Sequence, residues 1–570
     1  MWNSTRFQEV SQWLQSCLSS RDVSFKNRRW LMAAGLLFGL IVISMGVLTS
    51  ILKKRYEPYI RDQAITYLRE RFDSEVELAD LHIRMPRIST LRLLLTGGRG
   101  SVAEVDGGGL FLRYLGRRDL PPMFAIKAFH FYVDLALLFG KNKTVPLVQL
   151  DGMEIYVPPK GERPVLTSSV QRQGQEASKQ RSTASSVVIE EVLITDATLV
   201  ILPRDQSRIP LSFDIHRLRL ESAGKDISMN YDAELTNPKP PGLIRSQGKF
   251  GPWAADGPGD TPLVGSYTFE NADLSVFHGI GGILNSTGRF EGTLDNIRAR
   301  GQASIQDFRL KSSGNPVPLT TSFEVQVDGT NGNTLLSPVQ ATLGTTHFTT
   351  SGAVIKREKK ARRTISLNVS MSNGNLKDLL RLGVKGQPSM EGRISMITKI
   401  EIPPLTGPVK EKLLLDGRFE LSQSKFLKSS MQDQIDSLSR RGQGEPNNRE
   451  IDEVVSNMTG TFKLEDQVIT FPGLSFNVPG AAVQLAGDYD LGTDRLNFRG
   501  VLALRAKVSQ TMTGWKRWAL KPVDPLFAKN GAGTFLHVRV EGSSQNPKFG
   551  LDRRGKNGAE VQVHGFAAQQ

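Results

Sequence analysis

Residues 322–329 read SFEVQVDG, and this stretch contains the pattern that decides the fold. Phe323, Val325 and Val327 alternate with polar residues along it. Successive side chains of a β-strand point to opposite faces of a sheet, so the alternation predicts a strand with one apolar face and one polar face. The Asp-Gly pair at the end of the stretch is a turn signal.

The same alternation recurs at residues 365–372, which read ISLNVSMS. It continues with little variation over residues 187–425, which we assign as a β repeat region, and only short helical patterns such as residues 376–382 interrupt it. Strands with one dry and one wet face are typical of an antiparallel sheet that is covered on one side. The predicted fold is therefore mostly β: a long, curled, mainly antiparallel sheet with a few short helices.

A sheet of many strands must hide its apolar face. It can close as the core of a sandwich or barrel, or it can curl into a long trough. A trough that is open along one side would give acyl chains an apolar path. Its candidate lining residues are Phe323, Val325, Val327, Ile365, Leu367 and Val369. Filling of an ordinary closed core is the alternative role for each of these side chains.

Upstream, residues 56–160 are predicted to contain a helix and the first β segment. Ile60 to Phe72 carry apolar residues at helical spacing, and strand-like alternation begins at Val76. The helix could lie on a membrane surface or cap the end of a sheet, and its position just before a strand favours capping. The Gly-rich piece 107–109 predicts a turn, and Asp151-Gly152 predicts a hairpin between two strands.

Residues 161–186 are small, polar and without periodicity, which predicts a flexible linker. Residues 426–553 form a predicted C-terminal region that begins with a helical insertion, with one helix at 426–439 and a second at 451–458. The strand pattern then returns, and residues 554–570 have the composition of a loose tail.

Residues 30–52, between a tail of residues 1–29 and the large remainder, contain no charged residue and no histidine. About 20 apolar residues are enough to cross the hydrocarbon core of a bilayer. Basic residues flank this run on both sides, and no small-residue cleavage site follows it, so it predicts an uncleaved transmembrane anchor rather than a signal peptide. Because the flanking charges are balanced, the positive-inside rule leaves the orientation open.

The composition excludes several classes of function. The chain has 570 residues and a net charge of +15, but its basic residues are interleaved with acids rather than gathered on one stripe, so we expect no nucleic-acid partner. Its single cysteine, Cys17, precedes the predicted anchor and allows no intrachain disulfide. The seven histidines lack metal-ligand spacing, and no nucleophile elbow, phosphate-binding loop or dinucleotide motif is present. We therefore expect no catalytic residue, no cofactor and no metal.

The last third of the chain resembles the C-terminal region of AsmA-like proteins of bacteria with two membranes. The resemblance rests on four segments: IDSLSRRGQG at 435–444, MTGTFKLEDQVITFPGLSFNVPGAAVQLAGDYDLGTDRLNFRG at 458–500, VSQTMTGWKRWALKPVDPLFAKNGAGTF at 508–535 and VEGSSQNPKFGLD at 540–552. The plan of an anchor, a helix and then strands is also similar, as are VQLDGMEIYV at 148–157 and VVIEEVLITDATLVI at 187–201.

AsmA-like proteins are similar to bridge-like lipid transfer proteins with a repeating β-groove. The resemblance implies an inner-membrane protein with its N-terminus in the cytoplasm and its body in the periplasm. It also implies that a β-groove binds phospholipid acyl chains, carries them toward the outer membrane and supports envelope integrity. The family offers no catalytic residues. The shorter length of this chain implies a partner or a shuttle-like role, with outer-membrane or periplasmic proteins as candidate partners.

Two other functions compete with lipid handling. A scaffold or assembly factor for outer-membrane proteins would pair a free sheet edge with a client strand. An enzyme would need histidine or acidic side chains gathered from distant strands into one concave site.

Overall fold

The computed structural model describes most of the chain after residue 73 and isolated helical positions between 58 and 69. The described ranges are 74–84, 102–114, 118–134, 143–157, 187–202, 210–223, 228–252, 258–329, 332–356, 363–404, 407–529, 531–544 and 546–552. The predicted tail 1–29, anchor 30–52, linker 161–186 and C-terminal tail 554–570 lie outside them. Within the described ranges, none of the helices has the length and apolar character needed to cross a bilayer.

The described residues are mostly β, as the alternation predicts. Contacts divide the chain into two units, the first comprising residues 1–156 and 172–193 and the second 157–171 and 194–570. Unit 1 contains β1 (Ser74–Arg84), β2 (Val102–Tyr114), β3 (Phe124–Asp134) and β4 (Lys143–Val157). The next strand, β5 (Val187–Ile201), is divided between the units.

Unit 2 contains the remaining strands. They are β6 (Leu211–Ala223), β7 (Met229–Pro238), β8 (Pro241–Phe250), β9 (Pro262–Asp273), β10 (Ile280–Gly281), β11 (Ile283–Thr293), β12 (Asn296–Leu310), β13 (Val317–Val327), β14 (Thr334–Leu343), β15 (Thr346–Lys356), β16 (Arg363–Asn375), β17 (Met390–Ile402), β18 (Leu414–Phe426), β19 (Ser456–Glu465), β20 (Val468–Val478), β21 (Ala481–Asp490), β22 (Arg495–Leu504), β23 (Thr534–Gly542) and β24 (Pro547–Leu551).

Each strand of unit 2 pairs with its neighbour in sequence, except that β11 pairs directly with β9 and the two-residue β10 pairs with β12. Every pairing whose register the structure describes is antiparallel, in unit 1 as in unit 2. This is the meander that short, turn-rich connections favour.

The helices of unit 2 are short. They are α1 (Leu376–Gly383), α2 (Val409–Lys412), α3 (Ser429–Gln443), α4 (Trp515–Leu520) and α5 (Asp524–Phe527). α1, α3 and α4 follow β16, β18 and β22, which run in the same direction because an even number of antiparallel steps separates them. These helices therefore lie at one end of the strands, which we call the helix end.

The predicted amphipathic helix is present in unit 1. Its described residues are helical, with Ala64 and Leu68 half-buried and Asp62 and Arg69 exposed. The Arg61 guanidinium donates a hydrogen bond of 2.6 Å to the carbonyl oxygen of Leu78 in β1. This contact joins the helix to the strand that follows it, in agreement with capping.

Two predicted turns instead lie within continuous strands. β4 runs without interruption through Asp151-Gly152, so the hairpin prediction is wrong. β2 likewise continues through residues 107–109. Gly152 and Gly109 have φ angles of 63° and 61°, and both positions are skipped in the pairing with the neighbouring strand. Glycine adopts this left-handed conformation at low cost, and a tight turn often requires the same conformation.

The helical insertion holds one helix rather than two. α3 confirms the first, but residues 451–455 are not helical and Ser456 already begins β19. The prediction of a second helix is wrong because α3 captures this segment in an extended form. Asp436, which is 1% exposed, accepts hydrogen bonds from the backbone N–H groups of Glu453 at 3.2 Å and Val454 at 2.9 Å.

Two clusters of buried apolar residues in the C-terminal strands lie at the helix end. One cluster places Leu376 of α1 against Met371, Ile394 and Leu421 of β16 to β18. A second contains Val454, Val478, Ala481 and Leu504, with Ile435 and Leu438 of α3 packed against it. The helices therefore cover the apolar side of the sheet near this end of the strands.

Candidate functional site

The six predicted lining residues lie on one face of the sheet, which we call the apolar face. Directly opposite residues of paired strands share a face. Val325 of β13 lies opposite Leu336 of β14, which lies opposite Gly352 of β15, which lies opposite Leu367 of β16. Two residues that are more than forty positions apart in sequence thus belong to one row across the strands.

The row extends in both directions and contains no charged residue. We call it the central row. From β7 to β22 its members are Tyr231, Gly248, Gly265, Phe290, Ala299, Val325, Leu336, Gly352, Leu367, Ile400, Leu415, Leu464, Ile469, Tyr489 and Leu496. A second row beside it joins Val327, Thr334, Val354, Ile365 and Ile402.

Most of these side chains are only half-buried. Leu464 is the one fully buried member of the central row, and among the six predicted residues only Val369, at 9% exposure, is buried. Inward-facing residues of a closed sandwich core are usually fully buried. Solvent therefore still reaches the apolar face along the middle of the strands.

Aromatic rings lie over glycines on this face. Phe323 is directly opposite Gly301, and a Cβ added to Gly301 would lie 3.0 Å from the Cζ atom of the Phe323 ring. Phe290 covers Gly265 in the same way, with a corresponding distance of 2.9 Å. An aromatic ring can cover the gap that a glycine leaves in a sheet. Phe323 therefore lies along the sheet surface over its neighbour.

The glycine–aromatic pairing recurs across unit 2, and the sequence analysis did not anticipate it. The other pairs on this face are Tyr231 with Gly248, Tyr267 with Gly288, Phe419 with Gly460, Phe462 with Gly417, and Phe471 and Phe498 with Gly487. The available signal was glycine and an aromatic residue at apolar-face positions of successive strands, as in GRFEGT and LNFRG. We interpreted glycines only as turn residues.

Two tyrosines bring hydroxyl groups to the apolar face near its first strands. The Tyr231 hydroxyl lies 3.0 Å from Ser246 Oγ, and the Tyr267 hydroxyl lies 3.2 Å from Ser286 Oγ. Burial raises the pKa of both tyrosines, although each serine hydrogen bond acts in the opposite direction. Neutral tyrosine hydroxyls leave this part of the face uncharged, and the raised pKa extends the neutral form to higher pH.

The opposite face carries charges that pair across strands. Arg245 of β8 donates to Glu234 of β7 at 2.9 Å and to Glu270 of β9 at 3.0 Å. Arg300 of β12 donates to Glu324 of β13 at 3.1 Å. These pairs are exposed and contribute little stability individually. They fix this face as the one that meets water.

An open depression of about 840 Å³ crosses β16 to β21. None of the six predicted residues lines it. Each strand from β16 to β19 lines the depression with one apolar-face residue and the two polar-face residues next to it in sequence. On β16 these are Met371, Ser370 and Ser372. Hydroxyl groups of serine and threonine dominate its polar lining, and we assign no ligand to it.

Unit 1 gathers three potential metal ligands. Glu104 and Asp106 of β2 and His130 of β3 each offer an atom within 4.8 Å of the others. His130 Nδ1 lies 2.7 Å from Asp106 Oδ1, while Arg84 lies 3.7 Å from Glu104 and 3.6 Å from Asp106. The single guanidinium offsets only one of the two negative charges, and Asp106 Oδ2 is buried without a hydrogen-bond partner. The spacing of these residues in the sequence gave no indication of this group.

Comparison with known proteins identifies no relative of this chain: no family model, no curated protein and no solved structure matches it.

Proposed function

We propose that this protein binds phospholipid acyl chains along the apolar face of unit 2 and assists their transport. The observation that carries the proposal is the central row, which stays uncharged from β7 to β22 while its side chains, except that of Leu464, remain half-buried. A long face of this kind suits a long apolar ligand better than a compact one. Its physical role would be passive, because the face presents rings and aliphatic groups but no reactive side chain.

The chemistry of an acyl chain fits such a surface. Each methylene that leaves water contributes about 0.8 kcal/mol, so an acyl chain is stabilised by continuous apolar contact rather than by a few specific bonds. The charged headgroup would stay in water at the open side. Neighbouring strands lie about 4.8 Å apart, so the central row offers a path of roughly 70 Å along the sheet.

The cellular setting is part of the proposal. The uncharged run at residues 30–52 and the resemblance to AsmA-like proteins support an inner-membrane anchor, a periplasmic body and transport toward the outer membrane. Fractionation of cells that express the full chain, with protease added to intact spheroplasts, tests this setting. Digestion of the body only after the outer membrane is opened is the expected result. Protection of the body in spheroplasts would contradict it.

The decisive test is lipid mass spectrometry of the purified full chain. The Val325→Asp/Leu367→Asp variant places two carboxylates in the central row and should lose most of the bound phospholipid, because a buried charge is costly without a partner. A matched control is Gln326→Asp/Asn368→Asp. It adds the same charges to the exposed side of the same strands, opposite Arg298 and Lys399.

Phospholipid bound to the parent and the control, and lost from the central-row variant with its circular dichroism unchanged, is the expected result. Equal lipid in both variants would contradict the proposal. A folded parent that carries no phospholipid would also contradict it.

A scaffold for β-rich clients is the second candidate function. In the part of the chain that the structure describes, β24 pairs with β23 and with no other strand. Phe549 and Leu551 of β24 are 63% and 61% exposed. An unpaired edge strand with exposed apolar residues can receive a strand of another chain. Crosslinks from β24 to an outer-membrane protein, together with a lipid-free sheet, would favour this function.

A further inference from the structure

The segment between β22 and β23 exposes large apolar side chains. We call residues 512–529 the tip. Trp515, Trp518 and Leu526 are 76%, 72% and 82% exposed, more than any other large apolar residue described. Single exposed apolar residues are common on proteins, but two tryptophans and a leucine within twelve positions are not. The proposed groove does not use them.

The tip stands on an ordered base. The backbone N–H of Ser509 donates to Asp524 Oδ1 at 2.8 Å, and its hydroxyl donates to Asp524 Oδ2 at 2.7 Å. Ser509 is 3% exposed. Behind it, the Thr534 hydroxyl donates to the buried carbonyl oxygen of Ala506 at 2.7 Å. α5 is therefore held at its first residue, while Trp515, Trp518 and Leu526 stay exposed.

Basic residues are interleaved with the apolar ones. The tip contains Lys516, Arg517, Lys521 and Lys529 and a single acid, Asp524, which accepts the two bonds from Ser509. Its net charge is +3, from four basic residues and one acidic residue. Lys521 Nζ lies 4.0 Å from the centre of the Trp518 ring. A cation therefore lies against the exposed ring of Trp518.

We propose that the tip docks on the surface of a bilayer that contains anionic lipid. Tryptophan prefers the headgroup level of a membrane, where one part of the indole is apolar and its N–H can reach a polar partner. Lysine and arginine side chains keep their charge at the phosphates while their methylenes contact apolar groups. Leu526 would enter the boundary between headgroups and acyl chains.

The arrangement favours a bilayer over a protein partner. The centres of protein interfaces are depleted of charged residues, and lysine is disfavoured there. At the tip, however, Lys521 Nζ lies 4.0 Å from the centre of the Trp518 ring, so a cation directly adjoins the apolar side chains. A membrane interface accommodates both, because it offers apolar depth and negative charge within a few ångströms. This docking does not depend on lipid binding by the central row.

A fluorescence experiment on the full chain tests the proposal. In a Cys17→Ser background, Leu526→Cys is labelled with an environment-sensitive fluorophore, and the chain is held in nanodiscs of zwitterionic lipid. Vesicles with 70% phosphatidylcholine and 30% phosphatidylglycerol are then added. The matched control is Leu491→Cys, which lies at the opposite end of the strands from the helix end and is 44% exposed.

A blue shift at position 526 with anionic vesicles, absent at position 491 and absent with phosphatidylcholine alone, is the expected result. Each of the changes Lys516→Gln, Arg517→Gln and Lys521→Gln should weaken vesicle binding roughly fivefold. Trp515→Ser/Trp518→Ser should weaken it by more than about tenfold, because binding scales with the apolar area buried. Salt should weaken the parent in the same direction as the charge changes.

No shift at position 526 with either vesicle would overturn the proposal and assign the tip to a protein partner. Equal shifts with both vesicles, insensitive to the three charge changes, would overturn the requirement for anionic lipid. Because Leu491 and the substituted residues of the tip are exposed, unchanged lipid content and circular dichroism separate a failure of docking from a failure of the proposed groove.

Discussion

At the scale of single residues, glycine–aromatic pairs determine how far side chains project from the apolar face. Where an aromatic ring lies over a glycine, the ring lies along the sheet surface, and the glycine itself has no side chain that projects from the face. Gly301 and Phe323 show the constraint most clearly, because a Cβ on Gly301 would overlap the carbonyl oxygen of Thr287 in the neighbouring strand as well as meet the ring. The glycine is therefore required by a close approach of backbone.

Gly301→Ala should destabilise the sheet by about 1–3 kcal/mol, since overpacking against a backbone atom forces the strands to shift. The measurement is the shift in the urea midpoint of the β-sheet circular dichroism signal. Gly473→Ala is the matched control, because a Cβ at Gly473 would meet nothing within 4 Å. Equal midpoints for the two variants would contradict this interpretation of Gly301.

At the scale of elements, three β-bulges in different strands of unit 2 share one hydrogen-bond pattern. Asn271, Asn373 and Gln423 each have a φ angle between 52° and 55° inside a strand. In each case the backbone N–H donates to a side chain of the next strand along: Asn285 Oδ1 at 3.0 Å, Ser395 Oγ at 3.1 Å and Asn457 Oδ1 at 3.2 Å. A side chain thus replaces the ladder bond that the bulge removes.

The insertion after β18 depends on one carboxylate of α3. Besides the two backbone bonds to residues 453 and 454, Asp436 accepts a bond of 2.8 Å from Gln432 Nε2. Asp436→Ala should lower stability by roughly 1–3 kcal/mol, because it leaves the buried N–H of Val454 without this acceptor, whereas Glu453 N–H and Gln432 Nε2 each keep a second acceptor. Faster hydrogen exchange at the amides of Glu453 and Val454 is the expected readout. Asp433→Ala, exposed on the same helix, is the control, and equal exchange in both variants would contradict the assignment.

Continuity of the apolar face is the property that matters at the scale of the whole of unit 2. A groove for acyl chains should contact lipid at positions far apart in sequence, whereas separate small pockets should not. The central row crosses strands that are joined only through their neighbours, so every intervening strand must present an uncharged residue. It does so from Tyr231 to Leu496.

Photo-crosslinking tests this continuity. Three variants each carry a benzophenone amino acid at one central-row position: Phe290, Leu367 or Leu496. Each variant should form adducts with phospholipid, because lipid would lie along the entire row. The neighbouring exposed positions Glu291, Asn368 and Asn497 serve as controls on the other face. Adducts at a single row position, or at the controls as often as in the row, would contradict a continuous groove.

Local pattern in the sequence was sufficient for much of the fold. Period-two alternation identified the strands of the repeat region and placed all six predicted lining residues on one face, because burial of one side of a strand acts on every second residue. Helical spacing identified α1 and most of α3. These features depend on neighbours within a few residues, which a sequence displays directly.

The sequence by itself determined the one-sided strands, while the tertiary structure decided how they are joined. A positive φ at Gly109 or Gly152 is compatible with a turn and with a position inside a continuous strand, and only the pairing with a neighbouring strand distinguishes them. The row that connects Val325 to Leu367, and the rings that cover Gly301 and Gly265, likewise depend on the register between separate strands. Register is set by hydrogen bonds and packing between residues distant in sequence, so no local pattern contains it.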